Sequence, residues 1–123
     1  MAAKKEVTRI LVVEDEGDIC LLLELLLGSR KTIIDHVHTL SDAKESIAKE
    51  QPAVVLLDNR LPDGLGIDFI GYLKQEYPQI KIIMITGVDG IAEDAVLATG
   101  ADKFITKPFT QAQLQQSVNQ VLN

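Results

Sequence analysis

A run of five apolar residues, from Ala53 to Leu57, ends directly in a carboxylate, Asp58. The run contains no alternating polar residues, which is typical of a strand covered on both faces in a parallel sheet. Turn-forming residues flank it, with Pro52 on one side and the segment 61–64 on the other. The pattern predicts a central buried strand whose last residue lies at the carboxyl edge of the sheet. Open α/β sheets bind their ligands at that edge.

Four more segments have the composition of strands, and helical segments separate all five. The other strands are expected at Thr8–Val13, Thr32–Val37, Lys81–Ile85 and Lys103–Thr106. Helices are expected over 17–27, from an N-cap at Ser41 to 49, over 67–77 and 91–99, and from a Thr110–Gln113 capping box to 122. The polar residues of the second strand favour a position at the sheet edge. This alternation predicts right-handed crossovers onto one parallel sheet.

Length, composition and charge narrow the class of protein. One domain is expected for 123 residues, with residues 1–7 as a short flexible tail. A hydrophobic content of 46% excludes a disordered chain, and a net charge of −6 argues against direct nucleic-acid binding. Cys20 is the only cysteine, so no disulfide framework or cysteine-based zinc site is expected. The apolar run 19–27 is too short to insert across a membrane and no signal peptide is evident, so we expect a soluble cytoplasmic protein.

Four of the five predicted strands end in a chemically useful side chain. Glu14 and Asp15 follow the first strand, Asp58 ends the third, Thr86 ends the fourth and Lys107 follows the fifth. Carboxyl ends of parallel strands share one edge, so these groups should converge. Three crowded carboxylates repel one another by roughly 1–4 kcal/mol per pair, and Mg²⁺ or the lysine ammonium would relieve that repulsion. The pattern indicates a site where the Asp58 carboxylate, as nucleophile, forms an acyl phosphate.

Four motifs in this order resemble the receiver domain of two-component response regulators, of the chemotaxis-regulator-like type. They are Val-Val-Glu-Asp-Glu at 12–16, Leu-Asp-Asn-Arg-Leu-Pro-Asp-Gly at 57–64, Met-Ile-Thr-Gly at 84–87 and Gly-Ala-Asp-Lys-Phe-Ile-Thr-Lys-Pro-Phe at 100–109. The resemblance extends from residue 10 to residue 122. It implies a flavodoxin-like, doubly wound (βα)5 fold with strand order 2-1-3-4-5.

The resemblance also implies a role for each residue at a matching position. Asp58 would be the phosphoacceptor, Glu14, Asp15, Asp58 and the backbone carbonyl of Arg60 would hold Mg²⁺, Thr86 and Phe104 would be the switch residues, and Lys107 would bind the phosphoryl group. The donor would be a histidine kinase or a histidine phosphotransfer protein. The output would pass to a downstream effector or a fused output domain. Such a domain is a switch rather than an enzyme, because it catalyses only its own phosphorylation and dephosphorylation.

The chain departs from the family pattern at three positions. Glu14 stands where Asp is common, Gly87 where Ala is frequent, and Phe104 lacks the hydroxyl of the common Tyr.

Two other functions are alternatives to the signalling switch. A haloacid-dehalogenase-type phosphatase would need an Asp two residues after its nucleophile, and Arg60 cannot donate a proton there. A phosphate-independent adaptor would have no need of the intact acidic, hydroxyl and lysine residues.

Two further predictions concern the last strand and helix. The Lys107–Pro108 peptide is expected to be cis, because a sharp turn is needed to direct the lysine toward Asp58 and X-Pro bonds accommodate it. No charged residue follows Lys107, and the last helix is rich in glutamine. A salt-sensitive dimer through that helix is therefore not expected.

The first predicted helix carries two leucines that its sheet-facing stripe does not use. Leu21 and Leu25 lie one turn apart on the opposite side, next to glycines. We expect a patch that contacts a kinase, a neighbouring domain or a second copy in a homodimer, because adjacent exposed apolar residues mark partners. The alternative is two scattered surface leucines.

His36 and His38 on the second strand are interpreted as solvated edge residues, with a metal-binding pair as the alternative.

Overall fold

A computed structural model of the chain describes residues 7–17, 25, 31–87 and 93–122. Within these ranges the strands are β1 (Thr8–Val13), β2 (Thr32–Val37), β3 (Val54–Asp58), β4 (Arg60–Leu61), β5 (Gly64–Leu65), β6 (Lys81–Thr86) and β7 (Lys103–Thr106). The helices are Leu40–Lys49, Gly66–Glu76, Glu93–Ala98 and Gln111–Leu122. The helix expected over 17–27 lies largely outside the described residues, as do Cys20 and the expected tail.

Five strands form one parallel sheet in the order β2-β1-β3-β6-β7. With the short antiparallel hairpin β4–β5 left aside, this is the predicted order 2-1-3-4-5. The polar strand β2 lies at an edge of the sheet, as its composition predicted. The phosphoacceptor candidate Asp58 ends β3, the middle strand of the five.

Side chains of the strands alternate between two cores, one on each face of the sheet. In β3, Val55 and Leu57 pack on one face with the helices Leu40–Lys49 and Gly66–Glu76. Val54 and Leu56 pack on the other face against the last helix. Burying a side chain of this size contributes about 1.5–3 kcal/mol, which explains why the strand is apolar throughout. Because the strands are packed on both faces, their ends, which carry the polar groups, are held in place.

The prediction that Ser41 caps the second helix was wrong. The cap is Thr39, whose extended backbone lets its hydroxyl accept the amide of Asp42 at 3.0 Å. Ser41 falls inside the first turn, and its amide donates instead to the carboxylate of Asp63, at 3.0 Å. Thr39 and Ser41 are both capping residue types. The two residues differ because the Ser41 amide is taken by Asp63, a contact that sequence spacing does not reveal.

The predicted capping box at the start of the last helix is confirmed. The amide of Gln113 donates to the hydroxyl of Thr110 at 3.0 Å, and the amide of Thr110 donates to the side-chain carbonyl of Gln113 at 2.8 Å. These reciprocal bonds satisfy two amides that the helix itself leaves unpaired. Among the described helices, none has the length and apolar character needed to cross a membrane.

Candidate functional site

The described residues at the carboxyl ends of the parallel strands line a cavity of about 480 Å³. Its lining comes from β1, β3, β6 and β7 and from the turns after them, and comprises Asp15, Glu16, Asp58, Arg60, Thr86, Gly87 and Lys107. Most of the residues that the sequence predicted for a phosphoryl site therefore lie around one space. Glu14, which does not line the cavity, is buried just behind it.

Three carboxylates are brought together at this edge of the sheet. Glu14, Asp15 and Asp58 each offer an oxygen atom, and these atoms lie within 4.8 Å of one another. Glu14 and Asp58 are only 2% and 8% exposed, whereas Asp15 is exposed to solvent. Two buried carboxylates at this separation repel strongly unless a cation is present. The cluster is therefore poised to take a positive charge.

Lys107 supplies part of that positive charge. Its ammonium nitrogen lies 2.7 Å from Glu14 Oε2, 3.7 Å from Asp58 Oδ1 and 3.4 Å from Glu16 Oε1. Burial disfavours the charged lysine, but the hydrogen bond and charge of Glu14, the charge of Asp58 and the hydrogen bond of Glu16 more than offset this and raise the pKa of Lys107. The Lys107–Pro108 peptide is cis, as predicted. The lysine contacts Glu14 more closely than Asp58.

The carboxyl group of Asp58 has a strongly altered acidity. Burial and then the neighbouring charge of Glu14 raise the pKa of Asp58 from 3.8 to about 7, although Lys107 and the amide of Asn59 act in the opposite direction. That amide donates to Asp58 Oδ1 at 2.8 Å. A cation bound beside Asp58 would favour its ionised form, which is the form able to act as a nucleophile.

Two residues that the sequence analysis did not single out hold the Asp58 main chain in place. Asn59 is 3% exposed, its backbone carbonyl accepts the Gly66 amide at 2.7 Å, and its side-chain oxygen accepts the Ile67 amide at 3.0 Å. A Cβ atom on Gly66 would collide with the backbone carbonyl oxygen of Asp58. The pair Leu65-Gly66 at the start of an apolar helix was the available signal for this close approach.

The donor set of the cluster fits a hard divalent cation. Carboxylate and carbonyl oxygens are the ligands that Mg²⁺ takes in proteins, usually with several waters kept. Glu14, Asp15 and Asp58 supply the carboxylates, and Asp15, being exposed, leaves room for solvent on one side. The receiver family binds Mg²⁺ at an acidic pocket of this kind. The role of the Arg60 carbonyl stays a prediction.

The two predicted switch residues occupy different positions at the site. Thr86 ends β6, is 1% exposed and lines the cavity beside Asp58. Phe104 is half-buried on β7, where it packs against the core. It also lines a groove of about 630 Å³ between β7 and the last helix. The groove leaves space next to the aromatic ring.

Of the predicted interface pair, Leu25 is 78% exposed, while Leu21 lies outside the described residues.

The rings of His36 and His38 stack with centroids 5.8 Å apart, and both side chains are exposed. Within the described ranges, Glu14, Asp15 and Asp58 form the group of three clustered candidate metal ligands, and neither histidine belongs to such a group. The interpretation of the histidines as edge residues is kept.

Comparison with known proteins assigns the family. The model of the response regulator receiver domain matches residues 10–119. The response regulator protein PilR of Pseudomonas aeruginosa is 38% identical over 112 residues, which are 89% of this chain and 25% of that protein. The phosphate regulon transcriptional regulatory protein PhoB of Escherichia coli is 37% identical over 118 residues, or 93% of this chain and 51% of that protein. The chain thus spans about a quarter to a half of these relatives.

Solved structures agree with this assignment. A CheY-like response regulator receiver domain protein from Methanospirillum hungatei has a TM-score of 0.87 at 26% identity, with 94% of each chain covered. The signal receiver domain of a LuxO repressor protein from Vibrio parahaemolyticus has a TM-score of 0.86 at 28% identity, covering 94% of this chain and 90% of that one. With its five-stranded parallel sheet and the acidic site at its carboxyl edge, the chain belongs to the family of response regulator receiver domains, the signalling switches of two-component systems.

Proposed function

We propose that this chain is a single receiver domain that accepts one phosphoryl group on Asp58 in a Mg²⁺-dependent reaction and then changes its partner-binding face. The observation that carries the proposal is the position of the Asp58 carboxylate, which ends the central strand inside the site cavity. It lies 3.7 Å from the Lys107 ammonium and within 4.8 Å of two further carboxylates. The same cluster contains the nucleophile, a cation for the phosphoryl group and oxygen ligands for a metal.

The proposed reaction is a direct transfer. An oxygen of ionised Asp58 attacks the phosphorus of the donor, the new O–P bond forms, and the donor oxygen or nitrogen leaves with the electrons of the broken bond. Lys107 would move from Glu14 toward the transferred group, and the Thr86 hydroxyl would donate to one of its oxygens. Glu14, Asp15, Asp58 and the carbonyl of Arg60 would hold Mg²⁺, which would neutralise part of the phosphoryl charge.

The proposed output follows from the position of Phe104. If Thr86 is drawn toward the phosphoryl group, it leaves space into which the Phe104 ring can turn, and the groove next to β7 changes shape. That groove is lined by Phe104 and by uncharged residues of the last helix, together with Glu93, Lys103 and Lys107. The donor would be a histidine kinase or phosphotransfer protein in the cytoplasm. The receiver of the signal would be a fused output domain or a separate effector, in line with the greater length of PilR and PhoB.

Intact-protein mass spectrometry after incubation with acetyl phosphate tests this proposal. With Mg²⁺ present, the protein should gain the mass of one phosphoryl group, and with a chelator present it should gain none. Asp15→Asn should label more slowly at limiting Mg²⁺ and recover at high Mg²⁺, because it removes one metal ligand and not the nucleophile. A wild-type protein that stays unlabelled with Mg²⁺, or labels equally well in chelator, would refute the proposed function.

A further inference from the structure

Asp63 connects the loop after the phosphoacceptor strand to a distant helix. Its two carboxylate oxygens accept the first two amides of the helix Leu40–Lys49, with Leu40 N 2.9 Å from Oδ1 and Ser41 N 3.0 Å from Oδ2. The third amide, that of Asp42, donates to the Thr39 hydroxyl. Side chains thus satisfy the first three amides of this helix, and two of the three bonds come from the hairpin.

Asp63 lies at the tip of the hairpin that contains Arg60. The hairpin pairs Arg60 with Leu65 and Leu61 with Gly64. Its base is fixed separately, because the main chain and side chain of Asn59 accept the amides of residues 66 and 67. The Asp63 carboxylate provides the second attachment, at the opposite end. Arg60 therefore lies between two fixed points.

The tip is fitted closely to the helix. Gly64 has a φ of +152°, and a Cβ atom built on it would lie 3.1 Å from Leu40 Cδ1. The carboxylate also lies at the positive end of the helix dipole, where a negative charge is stabilised. Its two amide hydrogen bonds lower the pKa of Asp63, so the group is ionised and the attachment is complete at neutral pH.

We propose that Asp63 is a positioning residue for the metal site, because it ties the hairpin to the helix Leu40–Lys49 and so holds the main chain of Arg60 beside the carboxylates. This inference rests on the proposed function, which assigns the Arg60 carbonyl to Mg²⁺. Mg²⁺ requires nearly octahedral geometry, so a carbonyl on a hairpin with only one attachment binds it less well. Asp63 itself touches neither the metal nor the phosphoryl group.

The chain offers a matched control for this role. Thr39 caps the same helix by accepting the amide of Asp42, and this hydrogen bond does not involve the hairpin. Thr39→Ala and Asp63→Asn should therefore destabilise the same helix end to a similar degree. Only Asp63→Asn releases the hairpin tip, because the neutral amide loses one of the two oxygen acceptors and the charge.

Isothermal titration of the metal-free proteins with Mg²⁺ separates the two effects. Asp63→Asn should raise the Kd for Mg²⁺ by about threefold to tenfold, at or below the range seen when groups bonded directly to a ligand are removed. Thr39→Ala should leave that Kd unchanged. Labelling of Asp63→Asn by acetyl phosphate should reach the wild-type extent once Mg²⁺ is saturating. Asp63→Ser, whose hydroxyl sits on a shorter side chain, should weaken Mg²⁺ binding as well and replaces Asp63→Asn if that variant does not fold.

The inference is overturned if the Kd for Mg²⁺ is unchanged in both Asp63 variants, or if Thr39→Ala raises it equally, since Asp63 would then act only as a helix cap. Failure of the proposed function looks different. In that case the wild-type protein itself would bind no Mg²⁺ or take no phosphoryl group, and the inference would fall with it.

Discussion

At the scale of single residues, the acidity of Asp58 is set by partners that are far away in sequence. Glu14 contributes repulsion from the end of β1, and Lys107 contributes attraction from the end of β7. The repulsion and the burial together outweigh the attraction, so the metal-free site holds its proton up to about pH 7. In such a site the ionised carboxylates repel one another, and a bound cation reduces that repulsion.

This balance makes the stability of the metal-free protein depend on pH. The pKa of Asp58 is about 7 in the folded chain against an ordinary value of 3.8, so the folded state binds more protons between these values. The free energy of unfolding therefore falls as the pH rises from about 4 to 7. Asp58→Asn removes this penalty. At pH 8 the variant should be more stable than wild type by about 1–4 kcal/mol, since each pKa unit corresponds to about 1.4 kcal/mol.

Urea denaturation in chelator at pH 5, 6.5 and 8 measures the effect. The advantage of Asp58→Asn should narrow as the pH falls, because the wild-type carboxyl group becomes neutral as well. Adding Mg²⁺ at pH 8 should stabilise the wild type and have much less effect on the variant. Equal stabilities of the two proteins at pH 8, or an advantage of Asp58→Asn that grows toward pH 5, would show that ionised Asp58 does not destabilise the metal-free protein.

At the scale of secondary-structure elements, one helix is placed directly against the phosphoacceptor strand. The helix Gly66–Glu76 begins at a residue on which a Cβ atom would overlap the backbone carbonyl oxygen of Asp58. A side chain at position 66 would need the end of β3 to move. The same helix contains a second glycine, Gly71, whose Cβ position has no atom within 4 Å.

These two glycines should respond in opposite directions to the same substitution. Gly66→Ala should cost at least about 3 kcal/mol, the range of severe backbone and packing conflicts, and should reduce labelling of Asp58. Gly71→Ala should stabilise the protein by roughly 0.5–1 kcal/mol, because alanine loses less backbone freedom in a helix. Thermal denaturation and acetyl phosphate labelling of both variants measure this. A neutral Gly66→Ala variant with normal labelling would contradict the described contact.

The elements that sequence could predict are those with a dense local signal. β1 and β3 are buried on both faces, so their apolar runs fixed both type and position, and the Thr110–Gln113 box marked the last helix by spacing alone. The hairpin β4–β5 and the cap at Thr39 were not predicted. Asp63 lies between β4 and β5 and accepts the amide of Leu40, a contact across 23 residues that turn chemistry does not encode.

The same division holds for the candidate site. The strand-end residues were predictable, because parallel topology gathers the carboxyl ends of strands at one edge. The detailed pairing was not. Lys107 contacts Glu14 more closely than Asp58, and Asn59 and Gly66 support the site through main-chain contacts. Such contacts depend on side-chain rotamers and loop paths, which spacing in a sequence does not specify.

At the scale of the whole molecule, the site cavity and the groove beside Phe104 are neighbours, because Lys107 lines both. The last helix carries no charged residue, so contacts made through that helix are expected to depend little on salt. Leu25 is 78% exposed. Replacing an exposed leucine by a polar residue changes the free energy of unfolding little. The replacement weakens binding only if a partner covers the side chain.

Leu25→Glu should therefore leave the thermal stability and the acetyl phosphate labelling unchanged, but slow phosphotransfer from the histidine kinase or phosphotransfer protein that serves the wild type. Val7→Glu is the control, since Val7 is also exposed, at 51%, and precedes β1 at the opposite edge of the sheet from Asp58. Unchanged phosphotransfer in Leu25→Glu, with an unchanged oligomeric state in sedimentation, would mean that this leucine is an ordinary surface residue.

The most direct test of the central claim is to locate the phosphoryl group. Asp58→Asn and Asp68→Asn are matched variants, because each replaces one carboxylate by an amide, and Asp68 is exposed on the neighbouring helix. Both are incubated with acetyl phosphate and Mg²⁺ and weighed as intact proteins. We predict that Asp68→Asn gains one phosphoryl group, like the wild type, and that Asp58→Asn gains none. A phosphoryl group retained in full by Asp58→Asn would contradict the assignment of Asp58 as the acceptor.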